Sequence, residues 1–198
     1  MEDCAFCKRY QNKEEVIFES ERFYVCPSLG QIVEGYLLIC TKEHSYIGMS
    51  HIPNKFFKEL EEVQIRVRKL LSENYTPPIF FEHGPASHTL KGGCCIEHFH
   101  LHAVPVDVDL YEEIIRKKFK SRKISKLSQL SSYARRDMPY FYYENQKGER
   151  FVFKFNEVVP SQYLRQVLAV KLGVPEKWDW RVYPGFEEYK RTLEKLKQ

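Results

Sequence analysis

The stretch that most constrains this chain is Gly92-Gly93-Cys94-Cys95-Ile96-Glu97-His98-Phe99-His100-Leu101-His102-Ala103-Val104-Pro105. Three histidines alternate with apolar residues. Successive side chains of an extended strand point to opposite faces, so positions i, i+2 and i+4 share one. A strand here stands His98, His100 and His102 in a row, about 6–7 Å apart, with Phe99, Leu101 and Ala103 on the buried side. A helix would scatter the same imidazoles around its circumference. One strand face thus gathers groups that titrate near neutral pH and can serve as nucleophile, acid, base or metal ligand. A lone strand histidine is usually only a hydrogen-bonded residue; strict alternation of three points to chemistry or to a metal.

Metal and imidazole chemistry is confined to one half of the chain. All six cysteines (Cys4, Cys7, Cys26, Cys40, Cys94, Cys95) and all seven histidines lie between Cys4 and His102. The acidic start, Met1-Glu2-Asp3-Cys4, lacks the basic-then-apolar form of a signal peptide. No apolar run approaches the roughly 20 residues of a membrane span. A cytoplasmic protein without membrane contact is expected, with its cysteines as thiols or metal ligands rather than disulfides. At 198 residues and 43% hydrophobic content, one domain with an elaborate extension can build a sizeable core. Charge divides at the same place. Residues 1–105 carry a net charge of −3 and residues 106–198 a net of +7. A basic second half can steer phosphates or nucleic acid.

Taken in order, Cys4-Ala5-Phe6-Cys7 is a CxxC, half of a common zinc-ligand pattern. Residues 15–25 read as two short strands around a turn at 19–22, and 35–40 as a continuous apolar central strand. Phe57, Leu60, Val63, Val67, Leu70 and Leu71 recur at three- and four-residue intervals, which predicts a helix over 54–74. Residues 79–82 read as a strand. Residues 86–93 form a polar, Gly-containing loop; an anion nest and an ordinary hairpin connection account for it equally well. Residues 110–119 and 124–133 read as helices. Arg116 to Lys126 holds seven Lys/Arg in eleven residues, a solvated helix face or a nucleic-acid contact. Residues 138–144 and 149–155 read as a β-hairpin whose alternating aromatics build a sheet core, base stacking being the lesser reading. Pro160 predicts the first turn of a helix running to Leu172 and closed by Gly173, and 186–197 a last helix.

His98-Phe99-His100-Leu101-His102-Ala103-Val104 resembles the signature of the histidine triad (HIT) superfamily. Gly35 to His44 looks like that family's Gly-x-(apolar run)-Pro-Lys-x-His segment, and Cys4-x-x-Cys7 resembles the cysteine pair of its zinc-containing members. The resemblance covers roughly residues 1–105. It implies an α+β fold, an antiparallel sheet with a long helix, carrying a C-terminal α/β extension at 106–198 packed on it. It implies a nucleotide hydrolase or nucleotidyltransferase in which His100 attacks an α-phosphorus and forms a nucleotidyl-histidine. His102 contacts phosphate and assists the leaving group as an acid. Gly93, Cys94, Cys95, Glu82 and Ser28 fall at substrate-binding positions. Cys4, Cys7, His44 and His98 form a closed structural zinc site. A homodimer is a further implication.

Several positions depart from the Hint branch of the family. Cys94 and Cys95 replace the usual Gln and Ser, Glu82 a common Asn, and Ser28 the acidic residue that grips ribose. The departures argue against a Hint-like purine nucleoside phosphoramidase and leave dinucleoside polyphosphates or other nucleotide conjugates as the expected substrates. Two rivals stand beside this expectation. One is aprataxin-like deadenylation of nucleic-acid ends, motivated by Arg116–Lys126; the other is a nucleotide-binding or interaction module with little catalysis.

Overall fold

The histidine strand lies inside one mixed-length antiparallel sheet of eight strands. The structure is a computed structural model that describes residues 4–87, 96–117, 119–155 and 159–197. Strands β1 (Phe18–Glu19), β2 (Phe23–Pro27), β3 (Leu37–Thr41), β4 (Pro78–Gly84), β5 (His100–Pro105), β6 (Lys120–Ile124), β7 (Tyr140–Glu144) and β8 (Arg150–Lys154) are arranged in the order β1-β2-β3-β5-β4-β7-β8-β6. β5 is therefore central, between β3 and β4. Cross-strand pairs Leu38↔His102 and Phe81↔His102 fix the register, and every sheet neighbour is antiparallel. The α+β class with an antiparallel sheet and a long helix is as expected. The sheet continues past residue 105 without a break, because β7 pairs directly with β4.

Alternation sends the two faces of β5 to two cores. Leu101 and Ala103 join Leu37, Ile39, Phe80, Tyr140, Tyr142 and Val152 beneath helix α2 (Phe57–Asn74), which presents Phe57, Leu60, Val63, Val67 and Leu71. The opposite face carries His100 and His102 beside Tyr36, Leu38 and Phe81. It is covered by α1 (Ala5–Gln11) and α5 (Tyr163–Lys171), through Phe6, Leu164 and Leu168. The helices α3 (Tyr111–Ile115), α4 (Ser131–Ala134) and α6 (Phe186–Leu196) complete the described elements of that type. No helix is long and apolar enough to cross a membrane, among the described residues.

The second half departs from expectation at the basic segment. The helix over 110–119 shrinks to α3, and Lys120 to Ile124 is a strand, paired residue for residue with β8. Lysine and arginine have good helix propensity, but pairing with the aromatic strand Arg150–Lys154 overrides it. Four of the five β6 residues are exposed, as suits an edge strand that charge protects from further pairing. The helix over 124–133 likewise breaks into a 3-10 turn at Leu127–Leu130 followed by α4. The helix expected from Pro160 begins at Tyr163, with Gln162 before it in the left-handed region at φ +57. Gly173 closes it at φ +74.

Candidate active site and metal centre

Four side chains converge where α1 meets the start of the histidine strand. Cys4 is the N-cap residue of α1, Cys7 sits one turn on, His44 follows β3, and His98 lies in a bend just before β5 rather than in the strand. Cys4 Sγ is 3.5 Å from His98 Nδ1, and Cys7 Sγ is 3.5 Å from His44 Nδ1 and 3.7 Å from His98 Nδ1. The two Nδ1 atoms are 3.3 Å apart, and all four ligand atoms lie within 4.8 Å of one another. A tetrahedral zinc ion, with bonds of about 2.3 Å to sulfur and about 2.0–2.1 Å to nitrogen, spaces its ligand atoms about 3.3–3.8 Å apart. The donors present fit such an ion. His98 also donates Nε2–H to the Thr41 carbonyl at 2.7 Å, which leaves Nδ1 as the ligating atom.

Next along the chain, His100 and His102 face one pocket, their ring centroids 5.1 Å apart. Ala5, Phe6, Arg9, Ser28, Leu38 and Phe81 line its N-terminal side, and Gln162, Leu164, Arg165 and Trp180 its other wall. Phe6 packs against both His98 and His100, at 5.6 and 4.9 Å, so α1 links the cysteine–histidine cluster to the pocket. Phe81 stacks on His102 at 4.7 Å and 16°.

The two pocket histidines hold opposite tautomers, each fixed by its neighbour. His100 Nδ1 lies 2.7 Å from the His98 carbonyl. A carbonyl only accepts, so Nδ1 carries the proton and Nε2 has the free lone pair. His102 Nδ1 lies 2.7 Å from the Tyr36 hydroxyl. Tyr36 is fully buried, and its hydroxyl proton requires an acceptor. The donor-only guanidinium of Arg165 is its other polar neighbour, holding the phenol down against burial, which pushes it up to about 12. The Tyr36 O–H therefore donates to His102 Nδ1, and His102 carries its proton on Nε2. Burial holds His100 down to about 4 and His102 well below the ordinary imidazole range, and Arg165 lowers both further. Both rings are neutral at pH 7, one a bare nitrogen base and the other an N–H donor.

Among the expected substrate-binding residues, Ser28 lines this pocket, though its Oγ already donates to the Leu29 carbonyl at 2.8 Å. Gly93, Cys94 and Cys95 lie outside the described residues. Glu82 is placed elsewhere. It sits on the α2 face of β4 and accepts from Met49 N at 2.6 Å and the Tyr140 hydroxyl at 2.7 Å. Alternation decides this: Phe81 faces His102, so Glu82 must face away. Sequence reasoning missed Arg165, Gln162 and Trp180, which come from far along the chain and carry no local motif. Tyr36 stood inside the segment 35–44 with nothing to mark its hydroxyl.

No family model matches the sequence. The chain is similar to CWF19-like protein 1 of Homo sapiens, 24% identical over 204 residues, a match covering 96% of this chain and 36% of that protein. It is also similar to zinc finger CCCH domain-containing protein 64 of Arabidopsis thaliana, 25% identical over 203 residues and covering 90% and 32%. The chain thus spans about a third of the length of the curated relatives it matches. Among solved structures, it is similar to a histidine triad nucleotide-binding protein from Sulfolobus tokodaii at 21% identity and a TM-score of 0.45, covering 68% of this chain and 91% of that one. A zinc-bound histidine triad family protein from Mycobacterium smegmatis gives 18% and 0.43, covering 69% and 93%.

Proposed function

We propose that this chain is a histidine triad-type nucleotide hydrolase or nucleotidyltransferase acting through His100, with dinucleoside polyphosphates as its favoured substrate class. The observation that carries this is the pair of opposed tautomers on one strand face. His100 Nε2 offers a lone pair to a phosphorus while Nδ1–H stays bonded to a main-chain carbonyl, which steadies the positive charge the ring gains on attack. His102 Nε2–H meets a phosphoryl oxygen.

The bond from His100 Nε2 to the α-phosphorus forms as the bond to the leaving oxygen breaks. A polyphosphate departs as an anion and needs no proton. That suits a neutral His102 better than an alkoxide or amine leaving group, each of which needs an acid. Attack by water or another acceptor then breaks the phosphorus–nitrogen bond and returns the lone pair to Nε2; the water's proton leaves to solvent. Zinc on Cys4, Cys7, His44 and His98 would have no open coordination position and would pin α1 beside the pocket. Incubation with diadenosine tetraphosphate and a panel of nucleotide conjugates tests the proposal. Turnover of at least one, lost in His100→Ala, supports it; turnover retained in that variant overturns the role of His100.

A second reading, action on nucleic-acid ends, is favoured by one feature. Lys120, Arg122, Arg136 and Lys154 line a groove and have no carboxylate partner among the described residues. Its geometry counts against direct delivery to the histidines. β6 lies four strands from β5, about 19 Å, and register puts Lys120 and Arg122 on the opposite face of the sheet. Absence of RNA or DNA binding at low salt would end this reading.

A further inference from the structure

The pocket contains a buried positive charge that no carboxylate among the described residues neutralises. Arg165, on α5, is 4% exposed and lines the wall facing His100 and His102. Its Nε donates to the Trp178 carbonyl at 2.9 Å and one terminal nitrogen, Nη2, to the Gly30 carbonyl at 2.7 Å. The guanidinium carbon lies 5.2 Å from the centroid of the Tyr36 ring. These contacts orient the fork without supplying a negative charge. No carboxylate pairs with Arg165 among the described residues. Arg9, the other arginine of the pocket, contrasts with it: its Nε pairs with Glu15 at 3.2 Å.

A buried ion without a counter-ion is costly, and proteins rarely retain one that does nothing. A guanidinium has five N–H donors in a planar fork. Two are engaged by main-chain carbonyls, the fork lies beside the Tyr36 hydroxyl, and none of the remaining donors meets a carboxylate among the described residues. Arg165 lines the same pocket as His100 and His102, so the charge faces the space that a phosphoryl group between them would occupy. The surroundings hold it in place. Gly30, at φ +70, has no side chain, and a Cβ there would collide with Trp180 and with the Arg165 guanidinium.

We infer that Arg165 is a phosphate-binding residue of this site, the counter-charge for the anionic phosphoryl oxygens of a nucleotide held against His100 and His102. This rests on the nucleotide reading proposed above and extends it. It makes the second half of the chain part of the site and restricts the ligand to one that brings its own negative charge. The guanidinium would gain strength as charge gathers on the phosphoryl oxygens, a contact in which a planar fork exceeds a point charge.

The test separates binding from chemistry. Wild type, Arg165→Lys and Arg165→Met are titrated with AMP and with inorganic phosphate, reading the ligand-induced rise in melting temperature. The unliganded melting temperature and circular dichroism report any loss of fold. The inference predicts a clear rise for wild type with AMP, at least a tenfold weaker apparent affinity in Arg165→Lys, and in Arg165→Met a rise with AMP no larger than adenosine gives. Adenosine, which lacks phosphate, should bind wild type and Arg165→Met alike. Equal AMP affinity in all three proteins overturns the inference, as does a wild type that binds neither AMP nor phosphate. A wild type that binds AMP through Arg165 but turns over no nucleotide supports the inference while overturning the proposed catalysis. If Arg165→Met does not fold, Arg165→Lys decides the matter alone.

Discussion

Replacing Tyr36 with phenylalanine removes a single oxygen and tests the opposed tautomers directly. That oxygen is fully buried and donates to His102 Nδ1 at 2.7 Å. Without it the imidazole nitrogen is left without its donor, which costs about 1–3 kcal/mol for a buried polar group. At ~3 °C per kcal/mol for a chain of this size, the melting temperature should fall by roughly 3–9 °C. Turnover should fall further than stability alone explains. The hydroxyl no longer favours the Nε2–H form of His102, and the same 1–3 kcal/mol corresponds to about a 5- to 160-fold loss in kcat. Long-range nitrogen–proton NMR of the imidazoles at pH 7 reports tautomers with no substrate present. Wild type should show the Nδ1–H form at His100 and the Nε2–H form at His102, and Tyr36→Phe should mix the two forms at His102 alone. A wild-type His102 already in the Nδ1–H form would refute the reasoning, as would a Tyr36→Phe protein with unchanged spectrum and turnover.

Other expectations follow from named contacts. Elemental analysis should find about one zinc per chain, and Cys4→Ser with Cys7→Ser should lose the metal and melt lower; a metal-free wild type with an unchanged melting temperature would contradict the cluster. Burial pushes the Glu82 carboxyl up to about 7, against the donors Tyr140 and Met49, which lower it. Its folded value exceeds its unfolded value, so this contribution is complete below about pH 4.5 and is lost as pH rises through about 7. The full excursion is about 3 kcal/mol. Glu82→Gln should therefore flatten the fall in melting temperature between pH 5 and 8; an identical slope in both proteins would show that Glu82 ionises freely.

What was legible in the sequence was what depends on short-range pattern. Alternation at 98–103 separated the histidine face from Leu101 and Ala103, and the three–four spacing of Phe57 to Leu71 marked α2. The hairpin around Asn145–Gly148 was equally plain. Convergence of Cys4 and Cys7 with His44 and His98 came from resemblance, because nothing local requires segments so far apart to meet. The same residue alternation that located His102 also excludes Glu82 from the pocket once the Phe81↔His102 register is known. β6 was hidden because Lys120–Ile124 owes its extended form to its partner strand rather than to its own residues. Arg165 was hidden for a related reason. An arginine within an amphipathic helix looks solvated until the tertiary fold turns it inward, against Gly30 and Tyr36.

Covalent trapping is the most direct test of the central claim. The protein is mixed with diadenosine tetraphosphate or another substrate from the panel, quenched in alkali, where phosphoramidate bonds survive, and digested for mass spectrometry. The account predicts an acid-labile nucleotidyl group on His100, absent from His100→Ala and reduced in Arg165→Met. Turnover in which the group is carried by any other residue, or which persists in His100→Ala, would contradict it.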